Sequence, residues 1–142
     1  AYFGGMKERN WGRIVFISSE SSILIPPEMV HYGFTKTAQL SVSRGLAELT
    51  MGTGVTVNAV LPGPTASEGV SEFMGNLAAE KGLSKDEMEK EFFKTMRPTS
   101  LIQRFASVDE VASLVTYVCS PLASATNGAA LRVDGGLVRS IV

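Results

Sequence analysis

Two short β-branched runs, RIVFIS at 13–18 and VTVNAVL at 55–61, flank a helical stretch from about Met29 to Thr50. The runs have the length and residue types of buried strands. In the helical stretch Phe34, Leu40, Leu46 and Leu49 are apolar, with Ala38 and Ala47 as small contacts between them. Gly52 and Gly54 stop the helix, and Pro62-Gly63 closes the second strand. A strand, a long helix and another apolar strand make a βαβ unit, which implies parallel strands and a right-handed crossover.

The remaining segments extend this pattern. Residues 1–10 read as the last turns of a helix. Residues 19–30 are a polar loop in which Pro26-Pro27 excludes helix. Residues 64–106 form a long excursion without strand character. Within it Ser84 to Glu87 is a capping-box pattern that opens a charged helix through about Thr95, stopped by Arg97-Pro98. Ser107 to Glu110 is a second capping box, opening an apolar helix from Val108 to Cys119. Asn127-Gly128 is a turn signal, Ala129 to Val133 is a third strand, and Asp134-Gly135-Gly136 leads the chain out. Three parallel strands with two crossovers are half of a doubly wound α/β sheet. The whole chain, 1–142, reads as one partial domain whose first strand needs a neighbour on its other side. The chain begins at Ala1 and is expected to be the C-terminal part of a longer one.

Composition narrows the function. The 142 residues carry a net charge of −1, with no basic patch for nucleic acid. No apolar run reaches transmembrane length and no signal peptide is visible. With 1 Cys no intramolecular disulfide is possible, so a cytoplasmic setting is expected. Cys119, in an apolar helix, reads as a packing residue. With 1 His and 1 Cys no metal site is expected.

The chemistry concentrates around Tyr32 and Lys36. Their i, i+4 spacing puts a phenol and an ammonium on one helical face. The ammonium favours the phenolate, so such a tyrosine can exchange protons with an alcohol or a carbonyl. Ser19, thirteen positions earlier, offers a hydroxyl to hold the substrate oxygen. Ser18, Ser21 and Ser22 are nearby rivals for that role. Taken alone, Tyr32 and Lys36 read first as a solvated helix pair. His31 points elsewhere on the helix and reads as a surface or interface residue. Asn58 reads as satisfying backbone groups near the end of its strand.

The set RIVFISS, HYGFTK, VTVNAVLPGPT, RFASVDEVASLVTYVCSP and TNGAALRVDGG, in this order and spacing, resembles the C-terminal half of a short-chain dehydrogenase/reductase. The resemblance implies a Rossmann-type parallel sheet and an NAD- or NADP-dependent oxidoreductase that interconverts an alcohol and a ketone. By that resemblance Ser19 polarises the substrate oxygen and Tyr32 is the general acid or base. Lys36 bonds the nicotinamide ribose and lowers the tyrosine's pKa. The backbone at Pro62-Gly63 and the Thr65 hydroxyl meet the carboxamide. Thr65 to Glu68 is also a capping box, so Thr65 has a second candidate role as a helix cap. The excursion at 64–106 corresponds to the family's substrate lid, where Met74, Met88, Met96, Phe92 and Phe93 suit either an apolar substrate or ordinary packing. The helix after Tyr32 lies where the family forms its oligomer interface, so a homo-oligomer is expected.

The family's glycine-rich phosphate loop, T-G-x-x-x-G-x-G, has no counterpart in these 142 residues. Nor do its coenzyme-selecting residues or the asparagine that completes its catalytic set. The isolated chain is therefore expected to be inactive, and the rival reading is a truncated, non-catalytic fragment that acts only by association. A serine hydrolase using Ser19 and His31 is a third reading, poorly supported because no G-x-S-x-G elbow surrounds the serine.

Overall fold

A computed structural model describes residues 1–141. Helix α1 (Phe3–Glu8) leads into β1 (Gly12–Ile17), and α2 (Val30–Glu48) crosses over to β2 (Val55–Pro62). Helices α3 (Glu68–Lys81) and α4 (Lys85–Thr95) form the excursion, and α5 (Val108–Cys119) leads to β3 (Ala130–Val133). The strand order is β1-β2-β3, and both pairings are parallel. This is the doubly wound pattern read from the two apolar runs. β2 is the central strand, and Val55, Val57, Val60 and Leu61 on it are fully buried.

Local chemistry explains where the elements stop. Helix α2 ends at Glu48, before the two glycines; Thr50 Oγ1 and Thr53 Oγ1 donate to Ala47 O and Thr50 O and fold the chain into a turn first. Pro26-Pro27 does not exclude all helix: Pro27 opens a 3-10 turn, Pro27–Met29, that feeds directly into α2. Proline fits that first position because its missing N–H has no helical partner there. Two of the three predicted capping boxes form, at Ser84/Glu87 and Ser107/Glu110. Asn58 is fully buried; its amide donates to Thr126 O at 2.8 Å and accepts from Ala129 N at 3.0 Å, tying β2 to the approach of β3. Cys119 is exposed, contrary to its reading as a packing residue, because it falls on the outer side of α5 next to buried Val118.

The excursion leaves and rejoins the sheet at one point. Thr65 bridges Ala106, with Ala66 N donating to Ala106 O at 2.8 Å and Ala106 N to Pro64 O at 2.9 Å. Between these ends, Met74, Ala78 and Met88 form a small core of their own. No described helix is long and apolar enough to cross a membrane.

The start of α5 carries a titratable brace. Arg104 donates two hydrogen bonds to Glu110, at 2.9 and 2.7 Å, and Ser107 N donates a third at 2.8 Å. The Arg104 bonds, then that backbone N–H, hold the Glu110 carboxyl down to about 2 from an ordinary 4.5. A carboxyl depressed in the folded state adds stability above its unfolded pKa and loses it as pH falls. The brace is therefore complete above pH 4.5 and gone once pH falls through about 2. A carbon-13 titration of Glu110 should find its midpoint near that lower value in the native protein and well above it in Arg104→Ala.

Candidate active site

The site forms at the C-terminal ends of β1 and β2. Ser18 N donates to Val60 O at 2.8 Å, so the ladder runs one residue past β1. Ser19 follows in extended conformation and caps a 3-10 turn, Glu20–Ser22, its Oγ accepting from Ser21 N at 3.1 Å. Two contacts bind this serine turn to the start of α2. Ser18 Oγ donates to Lys36 O at 3.0 Å, and Thr37 Oγ1 donates to Ser22 O at 2.8 Å. Gly33 makes the approach possible: a Cβ there would stand 2.6 Å from Ile25 Cγ2 and 3.1 Å from Ser21 O.

Tyr32 is thereby set over the serine turn. Its half-buried ring faces a cleft of about 450 Å³ shared with Ser19. Among the described residues its hydroxyl has no hydrogen-bond partner. Lys36 Nζ lies 5.6 Å from the centre of the Tyr32 ring. It donates to Ile17 O at 3.3 Å and to Gln39 Oε1 at 3.5 Å, which leaves one of its three N–H groups uncommitted.

The second wall is Pro62-Gly63-Pro64-Thr65, where β2 runs out. Gly63 passes so close to the β3 exit that a Cβ would sit 2.8 Å from both Asp134 Cα and Asp134 O. Thr65 Oγ1 donates to Gly63 O at 2.9 Å, so its lone pairs remain free as acceptors. Thr65 does not cap α3: Ser67 does, accepting from Val70 N, because Thr65 is held in the bridge to Ala106. The third wall is apolar, with Val70, Phe73 and Met74 from α3, Phe92 from α4, and Phe105. Of the lid residues singled out in the sequence, Met74 and Phe92 border the cleft, Met88 and Phe93 are packed behind it, and Met96 is exposed.

Ser19, Tyr32, Pro62, Gly63 and Thr65 thus surround one cleft, and Lys36 stands behind Tyr32 outside the lining. Two charged residues in the cleft escaped the sequence reading. Glu20 is 5% exposed and accepts the Ser19 hydroxyl at 2.5 Å. Arg97, at the far end of the lid, places Nε 3.7 Å from Glu20 Oε1. Only an acidic residue directly after the serine, and an arginine at the lid's end, hinted at them.

A family model described as enoyl-(acyl carrier protein) reductase matches residues 3–138. The chain belongs to the short-chain dehydrogenase/reductase family. It is 53% identical over 140 residues to the uncharacterized oxidoreductase YvaG of Bacillus subtilis, covering 99% of this chain and 53% of YvaG. Among solved structures it superposes on an actinorhodin polyketide ketoreductase with NADPH at a TM-score of 0.80 and 30% identity, covering 96% of this chain and 51% of that one. It also superposes on the L-sorbose reductase of Gluconobacter frateurii, complexed with NADPH and L-sorbose, at a TM-score of 0.88 and 25% identity, covering 98% and 52%. The chain spans about half the length of the relatives it matches.

Short-chain dehydrogenases use NAD or NADP, and the donor set here fits the nicotinamide end of such a cofactor. Lys36 has an N–H to spare for a ribose hydroxyl, and Thr65 has lone pairs to accept from a carboxamide N–H. The backbone at Pro62-Gly63 borders the same cleft.

Proposed function

We propose that this short-chain dehydrogenase interconverts an uncharged alcohol and its ketone with NAD or NADP, using Tyr32 as general acid or base. One observation carries the reading: Tyr32, whose hydroxyl has no hydrogen-bond partner among the described residues, lines the same apolar-walled cleft as Ser19, with the Lys36 ammonium 5.6 Å from its ring centre. The bound cofactor supplies or takes the hydride. Tyr32 gives a proton to the developing alkoxide in reduction and removes one from the alcohol in oxidation. Ser19 orients the substrate oxygen. Lys36 holds the ribose and supplies a positive charge beside the Tyr32 ring. Pro62, Gly63 and Thr65 orient the carboxamide.

The 64–106 segment acts as the lid, and its Val70, Phe73, Met74, Phe92 and Phe105 wall selects an apolar substrate body. The outer face of α2, with Val30 59%, Phe34 70% and Val42 52% exposed, is the surface through which copies associate. A cytoplasmic setting and the absence of nucleic-acid or membrane partners belong to the same reading. These residues carry the proton-transfer side of the site. The isolated 142-residue chain, without a glycine-rich loop to seat a diphosphate, is expected to be inactive.

The test is turnover by the complete protein. With NADPH or NADH it should reduce apolar ketones such as cyclohexanone and acetophenone, and reduce the anionic ketone acetoacetate far less. Failure to oxidise either cofactor with any ketone, and to reduce NAD or NADP with any alcohol, rejects the proposal.

A further inference from the structure

Among the described residues the charged side chains bordering the cleft are Glu20 and Arg97. They come from opposite walls. Glu20 follows Ser19 in the serine turn, and Arg97 lies beyond α4 at the end of the lid. Both are largely buried, with side chains 7% and 14% exposed. Arg97 also reaches Glu28 Oε1 at 3.4 Å and lies 5.9 Å from the Phe92 ring centre. It therefore joins the serine turn, the approach to α2 and the lid wall.

Ser19 has a single hydroxyl proton, and here it is donated to Glu20 Oε2 at 2.5 Å. A ketone oxygen in the cleft needs that same proton. Glu20 thus competes with the substrate for the serine, in a charge-assisted bond that outweighs a neutral one. What moderates the competition is the cation beside it. Glu20 Oε1 faces Arg97 Nε at 3.7 Å and accepts from Ser21 Oγ at 3.3 Å. A carboxylate whose charge is compensated holds a third donor less firmly than a bare one in the same poorly solvated place.

Building on the proposed alcohol/ketone reaction, we propose that Arg97 is a positioning residue that, from the lid, draws charge from Glu20 and lets Ser19 turn its hydroxyl to the substrate oxygen. With Arg97 in place Ser19 still rests on Glu20 in the empty cleft, but it is held weakly enough for a substrate oxygen to take its proton. Arg97 touches no reacting atom; it acts through Glu20.

The test uses the complete protein with NADPH and cyclohexanone. Arg97→Met should lower kcat by roughly ten- to a hundred-fold, approaching the cost of losing one donor to a developing oxyanion, with KM for the ketone changed much less. Arg97→Lys should recover part of the loss. Glu20→Gln combined with Arg97→Met should recover most of it, since no carboxylate then holds the serine. An Arg97→Met enzyme equal to the native one overturns the proposal, as does a loss that the double variant leaves untouched. If Arg97→Met does not fold, the other two variants decide, because one keeps the cation and the other removes both charges together.

Crystal structures of the variants read the same point without turnover. Ser19 Oγ should stay on Glu20 in Arg97→Lys with an empty cleft, and turn toward Tyr32 in the double variant. A serine still directed at position 20 in the double variant overturns the inference even if no ketone is ever reduced, an outcome that would reject only the proposed reaction.

Discussion

Replacing Tyr32 by Phe should remove nearly all turnover and leave the fold and cofactor binding intact. The stability half follows from geometry. The Tyr32 hydroxyl makes no hydrogen bond within the described residues, so its loss strands no partner. The ring remains to pack over the serine turn, and Lys36 keeps its bonds to Ile17 O and Gln39. The kinetic half follows from the proton. With phenylalanine in place the cleft loses the acid that the proposed reaction uses, and Lys36, outside the lining, is not placed to replace it. Loss of a positioned acid–base group costs about 10²–10⁴ in rate. At about 1.4 kcal/mol per factor of ten, that is about 3–6 kcal/mol of barrier. Steady-state kcat, a calorimetric titration with NADPH and a melting curve on the same preparation separate the two halves. Substantial retained turnover would remove Tyr32 from its role, and a lowered melting temperature would contradict the free hydroxyl.

The framework was legible because it rests on periodicities that local residues set for themselves. Val and Ile runs favour strand at β1 and β2, and the Ser84 and Ser107 boxes satisfy their own backbone donors within a turn. The grouping of Ser19, Tyr32, Pro62, Gly63 and Thr65 follows from parallel strands, which bring the ends of β1 and β2 together. The misreadings lie where a distant partner overrides a local pattern. Thr65 has a good capping sequence, yet the bridge to Ala106 takes its backbone and passes the cap to Ser67. Cys119 sits in an apolar helix but on its exposed side, a distinction that one residue of rotation decides. Glu20 and Arg97 were invisible for a stronger reason. Each looks like a solvated residue beside a turn, and only the return of the lid over the serine turn buries them together.

Phe93→Ala should be the most destabilising substitution in the lid and should weaken substrate binding more than it slows chemistry. Phe93 is 1% exposed. Its ring stands edge-on to Phe92 and to Phe105, each with centroids 5.1 Å away, while those two rings stack on each other, also at 5.1 Å, and form part of the cleft wall. Truncation leaves a hole behind that wall and costs about 3–5 kcal/mol, the usual penalty for a buried phenylalanine. The 64–106 segment has its own small core and joins the sheet through the short Thr65–Ala106 bridge, so the loss should be local first. Hydrogen exchange should rise across α3 and α4 well before β2, and the melting temperature of the complete protein should fall. Phe92 and Phe105 can then tilt into the vacancy and widen the cleft. KM for an apolar ketone should rise several-fold, with kcat less affected, since Tyr32 and Ser19 sit on the opposite, sheet-anchored wall. Phe93→Leu, which refills most of the volume, should recover most of both effects. Unchanged exchange in α3 and α4 would mean that the lid does not depend on this ring cluster, and an equal fall in kcat would mean that the lid and the proton-transfer wall move as one body.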